Sequence, residues 1–166
     1  MRSRGDDAAF SACFERHAAG VRATAYLLCG DRHRAEDLTQ AAFLKLYLAW
    51  DRVDDPEHLT SYLRTLVVRV FLGEARRSWW RRERATGDPP ELAQPVGDPD
   101  DRLLAWQLVA ALPPRQRAVL VLRFWQDLDV RETAAALGCS EGTVKSQTAK
   151  ALATLRARVA GGGARG

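Results

Sequence analysis

Residues 129–148 read DVRETAAALGCSEGTVKSQT and contain the clearest structural motif of the sequence. It opens with the spacing of a capping box, in which the side chains of Asp129 and Glu132 bind backbone amides reciprocally at a helix start. Gly138 supplies a turn that ends this helix, and Ser140 carries a hydroxyl that caps a second one. The spacing therefore predicts a helix-turn-helix. Its two helices are expected at about 129–137 and 141–159.

The second of these helices has two different faces. The apolar face is expected to pack on Ala134, Ala135 and Leu137, and it consists of Val144, Thr148, Ala151, Leu152 and Leu155. The polar face carries no carboxylate and consists of Thr143, Ser146, Gln147 and Lys150, with Lys145 beside it. Such side chains can contact base edges and phosphates in a major groove. The alternative, a helical hairpin with a solvated polar face, is less favoured.

Outward from this motif, the chain divides into two helical units. Residues 86–99 are rich in proline, glycine and aspartate, and we interpret them as an extended linker. A four-helix unit is expected at 100–160, with one helix capped by Asp100 and another begun by Pro113-Pro114. A helical bundle is expected at 1–85, and a disordered tail at 161–166. The sequence thus predicts an all-α protein of two small domains.

The first unit shows helical periodicity throughout. One helix is expected to end at Gly30, a second to span Ala35 to Trp50 with Asp31 near its start, and a third to run from Glu57 to about Arg84. Residues 67–71 (VVRVF) contain three β-branched valines and resemble a strand locally, but the surrounding helical period outweighs this signal. No apolar run is long enough to span a membrane, and the N-terminus lacks a signal-peptide core, so a cytoplasmic protein is expected.

Charge is distributed unevenly along the chain. Residues 1–85 carry a net charge of +3, residues 86–101 carry −5 and residues 102–166 carry +6. Two basic units on either side of an acidic connector indicate two surfaces that face a polyanion. The end of the third helix combines arginines with two tryptophans, at Arg76, Arg77, Trp79, Trp80, Arg81, Arg82 and Arg84. Arginine pairs with phosphate and indole stacks on bases, although a solvated helix end is the alternative.

Four cysteine and histidine residues near the N-terminus are candidate metal ligands. Cys13, His17, Cys29 and His33 form two pairs with helical i,i+4 spacing, a pattern that zinc can use. Cys13 lies on an apolar stripe and His33 lies in a turn, so buried free thiols are the favoured interpretation and no metal or other cofactor is expected. The three cysteines do not form a disulfide framework.

Taken together, these motifs resemble the extracytoplasmic-function class of bacterial sigma factors, and an actinobacterial branch of it. The resemblance covers about residues 8–158. It is carried by Gly30-Asp31, by 35–40 (AEDLTQ) with Phe43-Leu44, by 112–117 (LPPRQR) and by 142–147 (GTVKSQ). It implies a protein that binds core RNA polymerase and directs initiation at promoters, with an anti-sigma factor as a partner typical of the class. It also implies a chain that is monomeric when free of partners and is not inserted in a membrane.

The resemblance also implies a role for each motif. Polymerase would be bound by Glu36, Asp37, Gln40 and Leu44. The minus-ten element would be bound by Arg69, Arg76, Arg77, Trp79, Trp80 and Arg81, and the minus-35 element by Thr143, Lys145, Ser146, Gln147 and Lys150. Arg69 departs from the family, which commonly has asparagine there, so the base selected at that point is open.

Two other functional classes were weighed. No nucleophile–base arrangement, glycine-rich phosphate loop or paired-carboxylate motif supports an enzyme. A stand-alone helix-turn-helix regulator is the closer rival. Such regulators commonly dimerise to read two half-sites, whereas this sequence shows no zipper and devotes residues 1–85 to a second basic unit.

Overall fold

The computed structural model describes residues 4–54, 59–84 and 107–163, and every regular element in these ranges is helical. The longer helices are α1 (Arg4–Cys29), α2 (Arg32–Leu48), α3 (Leu59–Arg84), α4 (Pro114–Leu120), α5 (Val130–Leu137) and α6 (Glu141–Gly163). Shorter helical turns lie at Trp50–Arg52, 107–110 and Val121–Trp125. The all-α prediction is confirmed. The linker expected at 86–99, the cap expected at Asp100 and the start expected at Glu57 lie outside the described residues.

The N-terminal bundle consists of α1, α2 and α3. Gly30 adopts a left-handed φ of 70°, which glycine reaches without a steric penalty, and it ends α1 as expected. Asp31 then caps α2, because its carboxylate accepts a 3.0 Å hydrogen bond from the backbone amide of Arg34. The three helices bury their apolar sides in one core, which includes Leu28, Leu38, Leu46, Leu63, Val67 and Phe71. The β-branched segment at 67–71 is helical, and tertiary packing accounts for its composition.

The C-terminal unit is built around α6. Pro114 occupies the first turn of α4, where its missing N–H costs nothing, and α4 continues into the π-helical turn Val121–Trp125. Val144 packs with Val119 and Ala134, which fixes α6 against α4 and α5. Two turns further along α6, Ala151 packs in a separate cluster with Val109, Leu112 and Leu120.

Two expectations for this unit are wrong in detail. Ala135 was expected to pack against α6 but is exposed, since the buried residues of α5 are Thr133, Ala134 and Ala136. Ala134 and Leu137 pack with Val144 as expected, whereas Ala136 belongs to the cluster shared with the bundle. Helix α6 also continues to Gly163, so residues 161–163, assigned above to a disordered tail, are helical. Residues 164–166 lie outside the described part of the chain.

The two units pack against each other, which the sequence did not indicate. Ala118, Val121, Leu122 and Ala136 of the C-terminal unit belong to the same hydrophobic cluster as the core of the N-terminal bundle. A Cβ placed on Gly30 would lie 3.6 Å from the Cβ of Ala110, so the two backbones approach closely at that point. The cleft between α1, α3 and the Trp125–Gln126 turn has a volume of about 240 Å³.

Candidate nucleic-acid interface

The helix-turn-helix is held by three local devices. The backbone amide of Glu132 donates a 2.7 Å hydrogen bond to the Asp129 carboxylate, and the Asp129 amide donates a 2.8 Å bond to the Glu132 carboxylate. This is the capping box expected from the sequence. Gly138 ends α5 with a left-handed φ of 66°, and the amide of Thr143 donates to the Ser140 hydroxyl at 3.1 Å. These local bonds set the direction in which α6 leaves the turn.

The polar face of α6 points away from its packed side. Lys145, Ser146 and Lys150 are exposed, and Gln147 is half-buried. Thr143 is also half-buried, and its hydroxyl lies 2.9 Å from the Ser140 hydroxyl, so it takes part in the cap as well as in the predicted face. The described structure thus brings the five predicted minus-35 residues onto the first three turns of one helix. Their side chains offer donors and acceptors to a groove.

The exposed side of α2 carries the residues predicted to bind polymerase. Asp37, Gln40 and Leu44 are exposed, and 59% of the Leu44 side chain is accessible. Leu48, one turn further, is 69% exposed and was not predicted, although its i+4 spacing from Leu44 was the available signal. Glu36 differs from its neighbours because it forms an ion pair with Arg22 of α1. It therefore lies at the α1–α2 seam and not at the centre of the exposed surface.

The second half of α3 is basic and aromatic, as expected. Arg76, Arg77 and Arg81 are exposed, and Trp79 is 55% exposed. An indole ring that stays largely accessible on a basic helix is suited to stacking on an unpaired base. Trp80 lies within α3, but its side chain is outside what the structure describes.

Arg69 lies on α3 two turns before this cluster and is engaged differently. Its side chain is exposed, yet its Nε donates a 3.2 Å hydrogen bond to the backbone carbonyl of Ala136 on α5. One of the residues predicted to bind minus-ten DNA thus contacts the helix-turn-helix of the same chain.

Two further side chains join the units and were not singled out from the sequence. Arg117 donates hydrogen bonds to the carbonyls of Leu28 and Leu112, and its guanidinium lies 5.5 Å from the centre of the Phe71 ring. Burial, followed by the charge of Arg34, lowers the pKa of Arg117 to about 10. Gln126 donates from its amide to the Thr24 hydroxyl across the cleft. Contacts at such long sequence separation leave no periodic signal.

The cysteine and histidine quartet is dispersed. Cys13 and Cys29 are buried, and burial raises the pKa of both thiols, whereas His33 is exposed. Burial, with Arg16 nearby, lowers the pKa of His17. Within ranges 4–54, 59–84 and 107–163, no three metal-ligating side chains come together. In the same ranges no helix is both long and apolar enough to cross a membrane.

Two family models match the chain. One, described as "Sigma-70 region 2", matches residues 13–81, which hold most of α1, α2 and α3. The other, described as "Sigma-70, region 4", matches residues 102–155, which hold the helix-turn-helix. The boundary between them falls in the proline-rich segment.

Actinobacterial sigma factors are among the similar proteins. The RNA polymerase sigma-E factor of Streptomyces avermitilis is 38% identical over 128 residues, which are 74% of this chain and 69% of that relative. The ECF RNA polymerase sigma factor SigM of Mycobacterium tuberculosis (strain H37Rv) is 30% identical over 151 residues, which are 91% of this chain and 77% of that relative.

Two solved structures share the fold of this chain. The sigma factor RpoE in complex with the anti-sigma factor NepR from Bartonella quintana superposes with a TM-score of 0.66 at 21% identity, over 89% of this chain and 94% of that one. CnrH in complex with the cytosolic domain of CnrY superposes with a TM-score of 0.62 at 21% identity, over 93% and 90% of the two chains. At this identity the likeness is one of fold.

Proposed function

The chain belongs to the extracytoplasmic-function class of sigma-70 factors, which direct RNA polymerase to promoters, and we propose that three surfaces divide its work. Residues 1–85 form the unit that binds core polymerase and the minus-ten element. Residues 100–160 form the unit that binds the minus-35 element, and 86–99 connect the two. The observation that carries this proposal is the exposed, carboxylate-free face of α6 directly after the Ser140 cap.

On the minus-35 side, we assign base contacts to Gln147 and Lys150. Both lie on the outer face of α6, and their amide and ammonium groups match the hydrogen-bonding edges of adenine and guanine. Lys145 and Ser146 are exposed at the start of the helix, where contacts to phosphate set the register. Thr143 supports the cap and contributes its methyl group to the same face.

On the minus-ten side, the basic and aromatic end of α3 provides the contact. Exposed arginines at 76, 77 and 81 attract the backbone, and the accessible Trp79 ring, with Trp80, stacks on bases that leave the duplex. We place Arg69 at the edge of this surface.

For the polymerase contact, we propose the exposed side of α2. Asp37 and Gln40 supply polar contacts and Leu44 an apolar one, and exposed Leu48 extends the apolar strip by one turn. A leucine pair with most of its area in solvent is typical of a surface that a partner covers. Glu36 supports this surface through its ion pair with Arg22.

The remaining partners follow from the class. An anti-sigma factor is proposed as a regulator, and the solved structure of RpoE in complex with the anti-sigma factor NepR supports it. We propose that the chain acts in the cytoplasm, is a monomer when free of partners, and has no catalytic activity of its own.

The test is run-off transcription with core RNA polymerase, this chain and a genomic promoter library. Initiation at a defined set of promoters is expected only when both proteins are present. A stand-alone regulator, the rival function, would bind duplex DNA tightly without core and would produce no transcripts. That result would refute the proposal.

A further inference from the structure

The cleft between α1, α3 and the Trp125–Gln126 turn has no role in the function proposed above. Its volume is about 240 Å³, and all of its lining residues except Trp125 and Gln126 belong to α1 and α3. The bundle therefore supplies most of its surface. None of the residues assigned above to polymerase, to the minus-ten element or to the minus-35 element lines it. The cleft is thus a separate concave site on the chain.

The lining of this cleft is basic. Arg16 and His17 of α1 and Arg64 of α3 line it, and its described lining contains no carboxylate. Within residues 4–54, 59–84 and 107–163, the side chain of neither arginine forms an ion pair or a hydrogen bond. Burial, followed by the charge of Arg16, lowers the pKa of His17, so these two side chains are close enough to interact. A concave surface with positive charge of this kind attracts anions.

Gly20 lies in the middle of α1 and lines the same cleft. Glycine inside a helix is less favourable than alanine, because its backbone loses more conformational freedom on folding. A Cβ built at this position meets no atom within 4 Å, so the packing of the bundle does not require glycine here. Because it has no side chain, Gly20 leaves the cleft open and lets a bound group approach the helix backbone.

The size and the donors of the cleft define the class of ligand. A volume of about 240 Å³ lies below the roughly 300–1,000 Å³ of pockets for drug-sized molecules, so the cleft suits a compact ligand. The guanidinium groups of Arg16 and Arg64 match phosphate oxygens in a bidentate manner. Thr60 adds an exposed hydroxyl. Two helices and the Trp125–Gln126 turn bound the cleft on separate sides, which favours a small molecule over the continuous backbone of a duplex.

We propose that this cleft binds a compact small molecule that carries a phosphate or diphosphate group. Arg16 and Arg64 bind the phosphate oxygens, and Thr60 donates its hydroxyl to them. Gly20 leaves the space in which the group lies. The half-buried ring of Trp125 closes the far side and contacts the part of the ligand beyond the phosphates. The proposal does not depend on the proposed function, because the free chain binds this ligand without polymerase or promoter DNA.

Isothermal titration calorimetry of the full chain with inorganic pyrophosphate tests the proposal. The parent chain should bind one pyrophosphate with a Kd of about 1 mM or lower. Arg16→Gln and Arg64→Gln should each raise this Kd at least about tenfold, because each removes a charged hydrogen-bond donor. Arg52→Gln is the matched control, since Arg52 is an exposed arginine of the N-terminal unit that does not line the cleft. Its Kd should stay within about twofold of the parent value, as for an independent site.

Filling the cleft is a second test. Gly20→Leu places a side chain in the open space at the cleft and should abolish pyrophosphate binding. Gly73→Leu is the matched control and should bind like the parent chain. Gly73 also lies within a helix, a Cβ built there meets no atom within 4 Å, and it does not line the cleft. Circular dichroism checks the fold of both variants, and if Gly20→Leu does not fold, the two arginine variants still decide.

Four results would overturn the proposal. Two are the lack of saturable pyrophosphate binding by the parent chain and an equal loss of binding in a variant and its matched control. Third, sodium sulfate at the same ionic strength could compete as well as pyrophosphate, which would show a general attraction for anions. Fourth, a duplex without promoter elements could displace pyrophosphate and bind both arginine variants more weakly than the parent, which would assign the cleft to DNA. Run-off transcription is measured separately, so its failure would refute the proposed function and leave these binding results unchanged.

Discussion

The Nε of Arg69 lies 3.2 Å from the backbone oxygen of Ala136, and this hydrogen bond joins residues 67 positions apart. Arg69 belongs to α3 of the bundle and Ala136 to the first helix of the helix-turn-helix. The bond therefore links the helix that carries the proposed minus-ten surface to the helix-turn-helix. Together with the shared hydrophobic cluster, it holds the C-terminal unit against the bundle.

Arg69→Ala should weaken the packing of the C-terminal unit on the bundle. One hydrogen bond of this kind contributes about 1 kcal/mol, so its loss should increase the population of chains with separated units roughly fivefold. The average dimensions of the free chain in scattering should rise. Arg76→Ala is the matched control, since Arg76 is an exposed arginine of the same helix and forms no hydrogen bond or ion pair with residues 107–163. Equal dimensions for both variants would show that the bond does not hold the units together.

Base reading by α6 is tested by single substitutions. Gln147→Ala or Lys150→Ala should each reduce discrimination between the cognate and a mutated minus-35 element by about 1–3 kcal/mol. Both affinities are measured by fluorescence anisotropy at one salt concentration. Arg156→Ala, at an exposed position further along α6, should leave discrimination unchanged. An equal loss on both DNAs would assign the substituted residue to phosphate instead of base.

Local signals account for most of the fold. The Asp129–Glu132 box, the left-handed Gly138 and the Ser140 cap depend on residues within four positions of each other, and all three were predicted from the sequence. The helical period likewise outweighed the β-branched run at 67–71. Both partners of each such interaction lie close together in the sequence, so the interaction can be predicted from one sequence alone.

What the sequence did not indicate depends on tertiary contact. Ala135 and Ala136 are chemically identical neighbours, and only the position of α3 makes one exposed and the other buried. Arg117 resembles any other arginine in a basic chain, although it lies between the two units. Leu48 was missed for a different reason, because an exposed leucine and a core leucine have the same helical spacing.

The polymerase contact is tested by a change that should not disturb the bundle. Asp37→Arg combined with Gln40→Ala should abolish co-purification with core polymerase, since both side chains are exposed on α2. Circular dichroism should match the parent chain. Glu15→Arg, a charge reversal at an exposed position of α1, is the control and should retain core binding. Normal recovery of core with the α2 variant would contradict the assignment.

The capping box gives a prediction for stability. Asp129→Ala removes the acceptor of the Glu132 amide and should lower the free energy of unfolding by about 1 kcal/mol. Asp129→Ser keeps an acceptor at the cap and should lower it by less. Urea denaturation at equal protein concentration separates the two. If both variants lose the same amount, the loss comes from something other than the cap.

The cap of α2 predicts a dependence of stability on pH. Hydrogen bonds from the backbone, first from Arg34, hold the pKa of Asp31 below its ordinary value of 3.8. The ionised carboxylate therefore stabilises the folded chain, fully above pH 3.8 and progressively less as the pH falls through the lowered pKa.

Asp31→Asn isolates this effect, because an asparagine oxygen can accept the same bonds but does not titrate in this range. Thermal unfolding is followed from pH 6 down to about pH 3, a window around the ordinary carboxyl pKa. The parent chain should lose stability more steeply than Asp31→Asn at the acidic end. Near pH 6, the stability of the two chains should depend on pH to nearly the same extent, because the Asp31 carboxylate is fully ionised in both the folded and the unfolded parent chain. Parallel curves over the whole window would mean that the Asp31 cap does not depend on its charge.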